Sequence, residues 1–135
     1  MSLLVIVNAD DFGITHGVNE SIVACHRAGT VTSTSFMANM ASANHAAGLA
    51  ASLPGLGVGL HFNLTLGRPV ADPARIPSLV DGDGCFMPRD RLIRKAALGQ
   101  LDAGQIGIEL LAQLERMRAL GLEPTHFDSH QHVHA

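Results

Sequence analysis

The chain has no tryptophan and no tyrosine, and its five aromatics are all phenylalanine. A surface built to stack bases is therefore not expected. Basic residues are scarce and scattered: 9 Lys plus Arg stand against 12 Asp plus Glu, for a formal charge of −3. That balance offers no groove for a phosphate backbone and predicts no nucleic-acid partner. No apolar run approaches the roughly 20 residues that a membrane span requires. Met1 leads straight into a short strand-like run without a basic leader or a cleavage signature, so no signal peptide is expected. The two cysteines, Cys25 and Cys85, lie far apart, form no Cys-x-x-Cys unit and imply no disulfide framework. Cys25 falls on the apolar side of a predicted helix and reads as a small core residue. A cytoplasmic protein without a membrane span is the resulting expectation.

What is present is an apolar fraction of 47% over 135 residues, enough to build one domain with a core of its own. Leu3–Asn8, with Val5, Ile6 and Val7, reads as a strand buried on both faces. Thr15 is placed to cap a helix reaching about Ala28, with Gly29 as its stop and Val18, Ile22 and Cys25 as its inward stripe. Thr30–Met37 reads as a second strand, Ala41–Ser52 as an Ala-rich helix ended by Pro54, and Leu56–Phe62 as a third strand. Between residues 63 and 89, Pro69, Pro73, Pro77 and Pro88 alternate with Gly67, Gly82 and Gly84, and no period survives. Such a segment is expected to be a long binding loop or lid. A short helix over Asp90–Leu98 follows. A longer one over Ala103–Leu120 carries Ile106, Leu110, Leu114 and Met117 on one face. Gly121 ends it, and Pro124 leads into a fourth strand. Alternating β and α elements imply an α/β fold with a parallel sheet and right-handed crossovers.

The last strand carries the strongest chemical signal. Along His126, Asp128, His130, His132 and His134 the imidazoles and one carboxylate recur at every second residue. On an extended strand they share one face, and such a stripe is costly to bury unless it binds something. A remnant purification tag would be homopolymeric, whereas Phe127, Ser129, Gln131 and Val133 interleave here. Two further groups stand where apolar runs end: Asp10-Asp11 after the first and His61 in the third. Carboxyl ends of parallel strands are where α/β folds place their sites. An Asp-Asp pair alone is as readily a turn or a cap. His16, His26 and His45 read as structural histidines, His45 without an acidic partner. Imidazoles and carboxylates with positions left open to water describe a catalytic metal site, in which a second carboxylate acts as base.

Asn8-Ala9-Asp10-Asp11-Phe12-Gly13, Val31-Thr32-Ser33-Thr34, Gly59-Leu60-His61-Phe62-Asn63-Leu64-Thr65 and the run from Pro124 to His134 together resemble the YdjC family of carbohydrate deacetylases. The resemblance covers nearly the whole chain. It implies a (β/α)-barrel-like fold, here as its N-terminal half, since family members run to about twice this length and a full barrel takes ~250 residues. Residues 1–135 are thus expected to form a single deacetylase-like domain, truncated relative to the family. The resemblance implies Asp11, His61 and His130 as metal ligands, Asp10 as general base, and Asn63 and His132 as substrate contacts. The ion is expected to be Mg²⁺ by family habit, with Zn²⁺ favoured by imidazole chemistry. The expected reaction is removal of acetyl groups from N-acetylated sugars or glycolipid-type carbohydrates, with the 63–89 loop closing over the sugar. One rival is a non-catalytic half domain that binds metal or sugar, or acts in an assembly. Another is metal-assisted phosphate-ester hydrolysis, disfavoured by the few Arg and Lys near the motifs. Four strands cannot close a barrel, so open apolar edges and a homo-oligomer are expected.

Overall fold

The computed structural model describes residues 3–133. Four parallel strands form one sheet in the order β1-β2-β3-β4: β1 (Asn8–Phe12), β2 (Ser33–Phe36), β3 (Gly57–Phe62) and β4 (Phe127–Ser129). Helix α1 (His16–Arg27) joins β1 to β2, and α2 (Ala43–Ala50) joins β2 to β3. A 3-10 turn at Pro73–Arg75, α3 (Arg89–Ala97) and α4 (Ala103–Ala119) lie between β3 and β4. The α/β expectation holds, and β1 and β4 are the open edges. Among the described residues, no helix is long and apolar enough to cross a membrane.

Local chemistry explains the helix ends. Thr15 accepts from Val18 N at 3.2 Å and starts α1; Gly29, at φ +79°, stops it. Asp102 accepts from Gly104 N and Gln105 N at the start of α4. The main core fills the space between sheet and helices with Phe12, Ile22, Val23, Phe36, Leu60 and Met117. The rings of Phe12 and Phe36 meet edge to face at 6.4 Å.

Several expectations are corrected. The first strand lies not at Leu3–Asn8 but at Asn8–Phe12, and Leu3, Leu4, Val5 and Ile6 are exposed at 88, 93, 62 and 79%. Their apolar character suits burial on two faces, but the described residues leave their side chains largely in solvent. Leu4, Val5 and Ile6 border an open cavity of about 790 Å³, lined also by Gly57, Thr125 and His126. Cys25 is exposed: the buried stripe of α1 is Asn19, Ile22 and Val23, and Cys25 falls beside it. The last strand ends at Ser129 instead of running to His134. Residues His130–His132 form a 3-10 turn with Gln131 and His132 at positive φ, so the histidines do not share one strand face. His134 lies outside the described residues.

The 63–89 segment is no loose lid. Leu64, Ala71, Ile76, Leu79, Phe86 and Met87 pack with Leu92 of α3 into a second core. Helix α4 fastens the segment through Glu109 and Gln105, and the expected stripe of Ile106, Leu110 and Leu114 is only part-buried. The buried face of α4 is Glu109, Gln113 and Met117. Glu109 accepts from Val70 N at 3.0 Å, Ala71 N at 2.8 Å and Gln113 Nε2 at 2.7 Å. Burial pushes its carboxyl above the ordinary glutamate value, and the bonds from Gln113, Val70 and Ala71 act in the opposite direction. A carboxyl that binds its proton more tightly folded than unfolded favours folding most in acid. That contribution is lost as pH rises from the ordinary glutamate range through the raised folded value. Glu109→Gln should remove this pH-dependent component. It should also destabilise the fold at neutral pH by about 1–3 kcal/mol, because one amide N–H₂ then faces a backbone or side-chain N–H. Urea unfolding of both forms from acid to neutral pH measures both effects.

Candidate metal centre

The two adjacent carboxylates of the site sit at a fault in the first ladder. Ala9 pairs with Thr34 and Phe12 with Phe36, so three steps on β1 match two on β2. The extra residue is a β-bulge at Asp10-Asp11, and Asp11 takes φ +66°. Bulges re-aim side chains and are common beside sites. Here the bulge frees two adjacent carboxylates from the opposite-face rule of a strand. Gly13 follows at φ +110°, where an added Cβ would stand 3.0 Å from Met37 O. The Gly13 N–H donates to Asn19 Oδ1 at 2.7 Å, tying the bulge to α1.

The carboxylate of Asp11 meets two imidazoles. His130 Nδ1 lies 3.0 Å and His61 Nε2 3.5 Å from Asp11 Oδ1. His61 is 3% exposed and comes from the buried part of β3. His130 comes from the turn after β4; leaving the strand there is what brings it to Asp11. Its ring meets that of His61 edge to face at 5.6 Å. Asp11, His61 and His130 each offer a ligand atom within 4.8 Å of the others. Asp10, His61 and Asp128 form a second such group.

The electrostatic order of the two groups follows from His61. Its Nδ1 donates to Asp128 Oδ1 at 2.7 Å, because a carboxylate can only accept. In a neutral His61 with its proton on Nδ1, Nε2 carries the lone pair and faces Asp11. A carboxylate behind an imidazole, fixing which nitrogen is free, is the usual outer arrangement of a metal-ligating histidine. Asp128 stands in the sequence as one member of a stripe; its pairing with His61 spans 67 residues and has no local signal.

The other named residues divide. Asp10 is exposed next to the trio, with Oδ1 accepting from Asn8 Nδ2 at 2.8 Å. Asn63 is fully buried. Its Oδ1 accepts from Thr65 N and Leu66 N, and its Nδ2 donates to Asn39 Oδ1 and Leu66 O. Four bonds leave that amide nothing for a sugar, so it shapes the loop after β3. His132 is exposed in the turn beside His130 and belongs to neither ligand group. His26 bonds Val31 O at 2.8 Å. His45 has an acidic partner after all, Glu20 at 3.2 Å, because α1 packs on α2; it also bonds Asn19 and stacks on His16 at 4.0 Å.

Comparison with known proteins places this geometry in a group. The profile of the family described as YdjC-like protein matches residues 4–135. A carbohydrate deacetylase of Geobacillus stearothermophilus is 55% identical over 129 residues, covering 96% of this chain and 49% of the relative. A chitooligosaccharide deacetylase of Yersinia pestis (strain Pestoides F) is 47% identical over 135 residues, covering 99% and 51%. Among solved structures, an Enterococcus faecalis V583 protein to which cellobiose-phosphate cleavage has been ascribed superposes with a TM-score of 0.87 at 34% identity. That match covers 96% of this chain and 49% of the other. The chain spans about half the length of the curated relatives it matches.

Proposed function

The chain belongs to the YdjC-like family, and from that premise we propose that it carries the metal centre of a hydrolase that removes acetyl groups from N-acetylated sugars. The observation that carries this reading is the convergence of Asp11, His61 and His130 at the strand ends. Their donor chemistry fits a divalent ion: two imidazoles, one of them with its free nitrogen fixed by Asp128, and one carboxylate. A divalent ion there supplies a polarised carbonyl and a water acidified towards neutral pH. Asp10 then takes the proton of the attacking water. Its carboxylate stands beside the trio, outside it, and Asn8 holds one of its oxygens. Mg²⁺ is the ion that the family resemblance implies, and Zn²⁺ the one that imidazole preference favours. The sugar class comes from the two deacetylase relatives. Acetate and phosphate release from N-acetylglucosamine oligomers and their phosphate esters, measured on a protein of the relatives' full length carrying this segment, tests the reaction. Metal-dependent release of acetate is the expected result. Release of phosphate alone would overturn the deacetylase reading.

A second reading, that residues 1–135 form a half domain working in an assembly, is favoured by one observation. Five successive apolar residues, Leu3–Val7, are exposed beside an open edge strand and a largely apolar cavity. Apolar surface of that kind recruits a second chain. The 135-residue chain is accordingly expected to run larger than a monomer in light scattering, and Leu4→Asp with Ile6→Asp to return it to monomer size. A stable wild-type monomer at micromolar concentration would remove this reading.

A further inference from the structure

We propose that Ser35 is a positioning residue of the centre: through Asp128 it fixes the ring and tautomer of His61, and through Asn8 it ties that ring to Asp10. The part that concerns metal affinity rests on the reading above; the part that concerns the tautomer does not. Ser35 lies in the middle of β2 and is fully buried. Its hydroxyl has one proton and two places to send it. Asp128 Oδ2 lies at 2.6 Å, and His126 Nε2 at 3.5 Å. A short bond to a carboxylate is the stronger of the two, and 3.5 Å is too long for a good O–H···N bond. The proton therefore goes to Asp128. The oxygen of Ser35 in turn accepts from Asn8 Nδ2 at 2.8 Å, and the same amide donates to Asp10 Oδ1 at 2.8 Å.

Every link in this chain has one consistent direction. Asn8 gives one N–H to Asp10 and one to Ser35; Ser35 gives its O–H to Asp128; Asp128 receives His61 Nδ1–H on its other oxygen. With both oxygens of Asp128 engaged, the carboxylate cannot rotate to meet His61 from another side. The His61 proton is then held on Nδ1 and its lone pair on Nε2, the side of Asp11. The sheet makes room for this. Ser35 is in register with Gly59 on β3, and a Cβ added to Gly59 would collide with the His126 ring. The bare glycine leaves the space that the His126 ring takes beside Ser35, just ahead of β4.

The test uses the 135-residue chain, with ¹⁵N NMR of the imidazoles above their titration range and Mn²⁺ titration. In the wild type, His61 should carry its proton on Nδ1. Ser35→Ala should convert it to a mixture of tautomers and raise the Kd for Mn²⁺ about 10-fold, as losing an outer partner does. Ser35→Thr keeps the hydroxyl and should restore both. A tautomer change without any Mn²⁺ binding by the wild type would uphold the positioning role and sink the metal reading instead. A wild-type His61 protonated on Nε2 overturns the proposal, and so does Ser35→Ala with unchanged tautomer and unchanged Kd. Should Ser35→Ala not fold, the wild-type tautomer and Ser35→Thr still decide.

Discussion

Asp10→Asn, made in a protein of the relatives' full length, is expected to lower acetate release by about 10²–10⁴-fold, the usual worth of a positioned general base. Mn²⁺ affinity should stay as in the wild type. The two halves of this expectation come from the bulge. Two carboxylates at adjacent positions of a regular strand would point to opposite faces. The bulge at Asp10-Asp11 puts both near His61, with Asp11 Oδ1 3.0 Å from His130 Nδ1 and 3.5 Å from His61 Nε2, and Asp10 bonded to Asn8. The amide oxygen introduced by the substitution still accepts from Asn8, so the local structure is kept while the basic oxygen pair is lost. Near-normal turnover in Asp10→Asn would show that another group takes the proton.

His130→Ala and Asp11→Ala should each weaken Mn²⁺ binding by more than the roughly 10–100-fold that an outer partner is worth. His130 gives the cleaner experiment. It lies in a turn at the end of the last strand, so its removal leaves the sheet intact. His61→Ala confounds two effects, since it also strands the Asp128 carboxylate that His61 satisfies. Calorimetry of each variant, beside a circular dichroism check of fold, measures the loss. Equal affinities in wild type and His130→Ala would remove His130 from the ligand set.

Much of this arrangement is legible in the sequence, and the departures have physical causes. The order of strands and helices follows from periodicity and from stops such as Gly29 and Gly121, and it places Asp11, His61 and His130 together. The β1 boundary shifts because Leu3–Val7 is apolar enough for a strand buried on two faces, whereas the pairing partners Ser33 and Thr34 meet Asn8 and Ala9. The inward face of α4 differs because helical patterning assumes apolar residues inside. Glu109 and Gln113 are inside to satisfy backbone groups 38 to 50 residues away. The histidine stripe fails where Gln131 and His132 adopt positive φ without glycine, a turn that alternation cannot reveal. Ser35 carries no signal at all, since its role exists only through Asn8 and Asp128, 27 and 93 residues distant.

Anomalous diffraction from crystals of the 135-residue chain soaked in Mn²⁺ tests the metal centre most directly. The expected result is one peak enclosed by Asp11, His61 Nε2 and His130, with His61 Nδ1 still bonded to Asp128. A peak between Asp10 and Asp128 with the Asp11 trio empty, or no peak near either group, would contradict it.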